Sequence, residues 1–270
     1  MRSRYPDGHP FYGVGPDDGL HVLRNKWVQR SYVDEQSRAL ADGVTAAVHA
    51  TRLAAPHRPT RGKGFRIDPG THGMRMGIDE INEASVERRM EQLLYLAYGP
   101  GGSLGATDVW GQLIAFQVPL YDQRVRNGWG HIDLMALTPE GCPVVIELKK
   151  HDAQDTPLRA LVEGVANAVA VAENWPAMSR EIREMCARRH LDVFVAETAP
   201  PVHTVVLAPE DYWMNWEQHG NLGQAVGHGA RESFRVLRHA LAESRYPTHL
   251  ASFDWPAHGS PGVHEARADW

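Results

Sequence analysis

Two acids and a lysine stand inside otherwise apolar runs in residues 130–150, GHIDLMALTPEGCPVVIELKK. Asp133 interrupts the first run, Glu147 interrupts the second, and Lys149 follows two residues later. Carboxylate oxygens are hard ligands that suit Mg2+ or Mn2+. A compact ammonium beside them can orient a water molecule or neutralise developing negative charge. The chemistry within reach of this trio is therefore the holding of a divalent cation and the activation of water. Lysine is also rare here: among 28 basic residues it occurs only at Lys26, Lys63, Lys149 and Lys150, so a chain that otherwise favours Arg has placed Lys beside Glu147.

Two strands joined by a short turn would position the trio. In the first, Ile132, Leu134 and Ala136 are expected on one face and His131, Asp133 and Met135 on the other. In the second, Val144, Ile146 and Leu148 oppose Val145, Glu147 and Lys149. Thr138-Pro139-Glu140-Gly141-Cys142 carries the Pro and Gly of a five-residue hairpin loop. With Leu137 opposite Pro143, Asp133 falls opposite Glu147 and His131 opposite Lys149. Directly opposed residues have Cβ atoms about 4.5–5.5 Å apart. Two carboxylates that close require a proton or a cation between them. A register slip of one residue would part them onto opposite faces. The alternative is that both acids belong to the solvated face of an antiparallel sheet.

Around this hairpin the sequence predicts a regular alternation of elements. Val86, Met90, Leu93, Leu94 and Ala97 form the apolar stripe of a helix over 85–98, which stops at Gly99-Pro100-Gly101-Gly102. A strand follows over 113–120. Past the hairpin, Asp155-Thr156-Pro157 opens an Ala- and Val-rich helix over 158–174. A buried strand over 203–208, a helix over about 223–244 and a last strand over 249–253 complete the series.

Asp133 followed by Glu147-Leu148-Lys149, in this order of elements, resembles the signature of the PD-(D/E)XK nuclease superfamily. The resemblance spans about residues 81–255. It implies an α/β, restriction-endonuclease-like core: a central mixed sheet with a β-meander, flanked by helices. It further implies metal-dependent hydrolysis of phosphodiester bonds in nucleic acid, with DNA as the expected substrate and Mg2+ or Mn2+ as cofactor. Asp133 and Glu147 would be metal ligands, joined by the backbone carbonyl of Leu148, and Lys149 would be catalytic. The family places a further acid on the first helix. The run from Glu87 to Leu94 resembles that of archaeal Holliday-junction resolvases, which carries the role to Glu87, with Glu91 as the substitute. On the helix after the hairpin the nearest polar candidates are Glu163 and Asn167, and neither matches the family pattern cleanly. His131 is an accessory candidate beside the acids. The resemblance also admits a homodimer.

Composition sets bounds on these expectations. A chain of 270 residues with 43% hydrophobic residues can bury a proper core. The net charge of −5 excludes a globally basic nucleic-acid binder and leaves only local basic patches. One is Arg58, Arg61, Lys63 and Arg66. The other is Arg124 and Arg126 with Trp129, just before the hairpin, where Arg could hold phosphates and Trp could stack on a base. The mixed-sign run 180–190 reads as an ordinary helix surface. Cys142 and Cys186 are too few for a disulfide framework, and the 15 histidines show no metal-binding spacing. No run reaches the length of a membrane span and the first residues lack an apolar stretch, so a cytoplasmic location is expected. Residues 1–78 form an N-terminal extension with a helix over about 34–53 and a Pro-, Gly- and Arg-rich linker over 55–73; 79–255 is the nuclease-like domain and 256–270 a loose tail. The competing class is a nuclease-fold module that binds or interacts without catalysis.

Overall fold

The computed structural model describes residues 41–46, 48, 86–119, 131–153, 155–198, 200–218, 228–254 and 262–266. Its centre is one six-stranded mixed sheet whose strands lie in chain order. They are β1 (Gln112–Pro119), β2 (His131–Leu137), β3 (Pro143–Leu148), β4 (His203–Pro209), β5 (Thr248–Phe253) and β6 (Val263–Glu265). The first three form an antiparallel meander. β4 and β5 then add in parallel, each after a helical crossover, and β6 returns antiparallel to β5. The helices are α1 (Val86–Tyr98), α2 (Pro157–Arg188), α3 (Glu210–Gln218) and α4 (His228–Ala242).

Helices cover both faces, and the core is accordingly divided in two. On one side Met90, Leu94, Tyr95 and Tyr98 of α1 pack with Leu134, Ala136, Val144 and Ile146. On the other, Leu161, Val165 and Val169 of α2 and Phe234 and Leu237 of α4 pack with Met135, Val145 and Val206. Ala41, Val44 and Val48 join this second cluster, so the described part of the early helix, 41–46, packs on the same core. Burying a Val, Leu or Ile side chain contributes roughly 1.5–3 kcal/mol. β3 is buried along its whole length, as a strand covered on both faces must be.

Several elements differ from the sequence expectation. α1 exposes Val86 and instead buries Tyr95 and Tyr98. α2 does not end at 174: it runs through Pro176, forgoing one backbone hydrogen bond there, and absorbs the mixed-charge run up to Arg188. α3 was not expected, although Glu210 and Asp211 at its start suit a helix N-terminus and its Trp213 and Trp216 are fully buried. The stretch expected to be a loose tail contributes β6, whose three residues are too few to show periodicity.

The β2–β3 turn follows the expected pattern. Thr138 N–H donates to Cys142 O (2.9 Å) and Gly141 N–H to Thr138 O (2.8 Å). Gly141 has φ of 77°, and a Cβ there would stand 2.7 Å from the Ala196 nitrogen, so both conformation and contact demand glycine. This turn fixes the register Leu137↔Pro143 through Leu134↔Ile146.

Candidate active site

Glu147 sits on a strand buried on both sides and is itself only 7% exposed; Lys149, just past the strand end, is 6% exposed. An isolated charge in such a place costs several kcal/mol unless it is paired. The structure pairs it. Lys149 Nζ donates to Glu147 Oε1 at 2.9 Å, to Glu163 Oε2 at 3.0 Å and to Asp155 Oδ2 at 3.4 Å. Asn167 Nδ2 donates to Glu147 Oε2 at 3.4 Å, and Arg159 binds the other oxygen of Glu163.

Three of these partners come from α2, and local sequence explains how they arrive. Thr156 caps the helix by accepting from Arg159 N–H, with Pro157 at the first helical position. Arg159, Glu163 and Asn167 then recur every four residues and so share one helix face. Gly164 lets that face approach the sheet. A Cβ there would stand 2.6 Å from Thr204 Cγ2 and 3.6 Å from Glu147 Cβ. Tyr212 of α3 tethers the segment before the cap by donating from its hydroxyl to Asp155 O at 2.9 Å.

Asp133 reaches the same region from β2. The β2–β3 pairing extends to Leu134↔Ile146. Beyond it the Asp133 carboxylate accepts the Leu148 N–H at 2.9 Å. Lys149 N–H donates to Leu207 O on β4. The C=O and N–H of one trans peptide point oppositely, so the Leu148 carbonyl points away from β4, toward the side on which Asp133 lies.

β1 contributes a departure from regular geometry. Phe116 and Leu134 pack on the α1 side, whereas Val118 and Ile132, two residues along each strand, pack on the α2 side. A regular strand keeps such residues on one face. The expectation that Ile132 shares a face with Leu134 and Ala136 is thus corrected. The break falls at Gln117 and Asp133, which lie between the Phe116↔Leu134 and Val118↔Ile132 pairs. Gln117 has φ of 48°, the left-handed region that non-glycine residues seldom occupy. Its Nε2 donates to Glu91 Oε1 at 2.7 Å.

Burial and charge set the protonation of these groups. The Asp133 carboxyl is pushed up to about 8 by burial and then by the charge of Glu91, against the pull of Lys149 and the Leu148 N–H. Burial also raises Glu147 well above the usual carboxylate range, with Asp133 adding to the shift and Lys149 opposing it. Glu163 is half-buried, and although that opposes its ionisation, the charges of Lys149 and Arg159 hold it down at about 2. Burial works against the Lys149 ammonium, but Glu147, Glu163, Asp155 and Asp133 keep it charged, with its pKa well above the ordinary value.

Asp133, Glu147, Lys149, Glu163 and Asn167 are therefore brought together, and Glu91 joins them from α1. Glu87 is exposed one turn earlier, though its charge is still felt at Asp133. His131 is exposed and pairs with Pro119 on β1, where the β2–β3 ladder has already ended. Arg124, Arg126 and Trp129, and the basic stretch 58–66, lie outside the described residues. Sequence reading missed Asp155, Arg159, Gln117 and Gly164. Arg159 could have been found from its i, i+4 spacing to Glu163, whereas nothing in the sequence marks Gln117 as left-handed.

Among the described residues no three His, Cys, Asp or Glu side chains stand arranged as a metal-binding group. The reason is visible in the geometry: Glu147, Glu163 and Asp155 all point at the Lys149 ammonium. The donor set is nonetheless suitable for a hard cation. Burial opposes the ionisation of both Asp133 and Glu147, with Glu91 adding to it at Asp133 and Asp133 adding to it at Glu147, and a divalent ion would relieve both. No protein-family model, curated protein or solved structure matches this chain. No helix among the described residues is long and apolar enough to cross a membrane.

Proposed function

We propose that this chain is a metal-dependent phosphodiesterase on a restriction-endonuclease-like core, hydrolysing nucleic acid, with DNA as the preferred substrate. The observation that carries the reading is the buried Lys149 clamped beside Glu147, with Asp133 brought to the same spot from the neighbouring strand. Support also comes from the order of elements: a helix, a three-stranded meander, a crossover helix and a parallel strand.

Asp133 and Glu147, with the Leu148 carbonyl, would hold Mg2+ or Mn2+. The ion supplies Lewis acidity, making water nucleophilic near neutral pH and offsetting negative charge on the phosphate. Lys149, kept charged by its carboxylates, orients the attacking water and balances charge on the phosphate oxygens. Glu163 and Arg159 hold Lys149 in place. Glu91 is better placed than Glu87 to act as the first-helix acid, because it is buried beside Asp133.

A second reading, a catalytically silent nuclease-fold module that binds nucleic acid or another partner, is favoured by one observation. Lys149 already engages Glu147, one of the two carboxylates proposed to hold the metal. The two readings separate in one experiment. Purified protein is incubated with supercoiled plasmid, single-stranded DNA and RNA, with Mg2+, Mn2+ or chelator, beside Glu147→Gln and Lys149→Met. Metal-dependent cleavage that both variants lose supports the enzyme. Absence of cleavage together with absence of metal binding by calorimetry supports the silent module.

A further inference from the structure

Four observations converge on one position in β1. Gln117 faces Asp133 across the β1–β2 ladder, between the Phe116↔Leu134 and Val118↔Ile132 pairs. Its backbone is left-handed, with φ of 48°. Both strands exchange core faces at this point. Its side chain crosses to α1 and donates to Glu91 Oε1 at 2.7 Å, and Glu91 is only 4% exposed. A Gln held in a sparsely populated backbone region is strained, and such residues persist only when the surroundings over-determine them, often at functional sites. A regular β1 would continue the alternation of the strand and leave residue 117 no special reach. The left-handed turn is what couples β1, β2 and α1 at one point.

We infer that Gln117 is a positioning residue: its side-chain amide holds the Glu91 carboxylate against Asp133, and so makes Glu91 the first-helix acid of the site. Gln117 itself touches neither the metal nor the phosphate. It acts through Glu91, as a hydrogen-bonding partner behind a ligating or water-holding carboxylate does. Loss of such a partner typically costs about tenfold or more in metal affinity. The inference rests on the metal-dependent reading above, and its test separates the two.

Four proteins are compared, wild type, Gln117→Gly, Glu91→Gln and the double variant, and a fifth, Gln117→Asn, is the conservative replacement. Glycine adopts φ of 48° without strain, so Gln117→Gly removes the amide while keeping the backbone, and circular dichroism should report an intact fold. Calorimetric titration with Mn2+ is expected to show about tenfold weaker binding in Gln117→Gly. Glu91→Gln should show a similar loss, and the double variant no further loss than the worse single. Gln117→Asn keeps an amide one methylene shorter and should fall between wild type and Gln117→Gly. Wild-type affinity in Gln117→Gly, or losses that multiply in the double variant, would overturn the positioning role.

If wild type itself binds no Mn2+, the metal reading fails and the coupling is read instead from urea unfolding of the same four proteins. Non-additive effects there leave Gln117 as the residue that places Glu91. Additive effects remove that role as well.

Discussion

The two ends of the candidate site solve the same problem in opposite ways. At the Lys149 end, three carboxylates meet one ammonium and a guanidinium: Glu147, Asp155 and Glu163 around Lys149, with Arg159 behind Glu163. At the Asp133 end, the Leu148 N–H donates to Asp133 and the Gln117 amide donates to Glu91. Two half-buried acids follow this division: Glu163 is held at about 2 and Asp133 is pushed to about 8. Glu147, more deeply buried, stays raised above the usual carboxylate range even beside Lys149. One end sets two cations against three carboxylates and is close to neutral, whereas the bonds described at the other come from neutral donors, which is where an added cation would gain most.

The largest effect should come from breaking the neutral end. Lys149→Met leaves Glu147, Asp155 and Glu163 without their shared ammonium. Removing one partner of a buried ion pair costs about 3–5 kcal/mol. Urea unfolding at pH 7 should show a loss of this order, and the loss should shrink toward pH 4 as the stranded carboxylates take up protons. An equal loss at both pH values would mean that packing, not charge, holds that end together.

Gly164→Ala should come next, because it acts on the approach that brings α2 to Lys149. Alanine favours the helix, but its Cβ would stand 2.6 Å from Thr204 Cγ2. Overpacking of this kind costs about 1–3 kcal/mol, and the melting temperature should fall. Thr204→Ser removes the opposing methyl, so Gly164→Ala combined with Thr204→Ser should recover most of the loss. Failure of that recovery would place the strain elsewhere.

The charge-poor end makes a prediction of opposite sign. The folded pKa of Asp133, about 8, lies above its ordinary value of 3.8. Its preference for the proton therefore stabilises the fold fully below about pH 4, and this contribution is lost as pH rises from there through about 8. Metal-free protein should melt at progressively lower temperature over that window, and Asp133→Asn should flatten the decline. Added Mg2+ should raise the melting temperature more at pH 9 than at pH 6, since it must displace a proton at the lower pH. The smallest effect belongs to the exposed acid of α1. Glu87→Gln should change stability by less than about 0.5 kcal/mol and should leave Mn2+ affinity, by titration, nearer to wild type than Glu91→Gln does.

The charge-rich end was the more legible of the two in the sequence. The hairpin register followed from Gly141 and the alternation on either side of it, but the ladder closes at Leu134↔Ile146, and beyond it the Asp133 carboxylate meets the Leu148 N–H instead of standing in a paired position with Glu147. Thr156-Pro157 announced α2, but the helix expected over 158–174 continues through Pro176 to Arg188, because the tolerance of one lost hydrogen bond depends on tertiary packing that a sequence pattern does not carry. The charge-poor end was concealed for a similar reason. Gln117 occupies a strand run in which alternation is the only visible signal, and its left-handed φ violates that signal locally. Choosing between Glu87 and Glu91 likewise required knowing how α1 rotates about its axis. Helical periodicity alone gave Val86 to the core, whereas the structure turns Tyr95 and Tyr98 inward and Glu91 with them.

The strands of the sheet follow one another in space as they do in sequence. Each new strand docks beside the one made just before it, yet only β2 and β3 are joined by a short turn; β4 and β5 each pair after a helical crossover. Local pairing forms faster than pairing across a long crossover, so synthesis from the N-terminus favours the meander forming while α2 is still being made. In that order of events Glu147 and Lys149 would meet at the edge of β3 while it still faces water, where bringing two charges together costs little desolvation. The arrival of α2 and β4 then closes the interior over charges that are already matched.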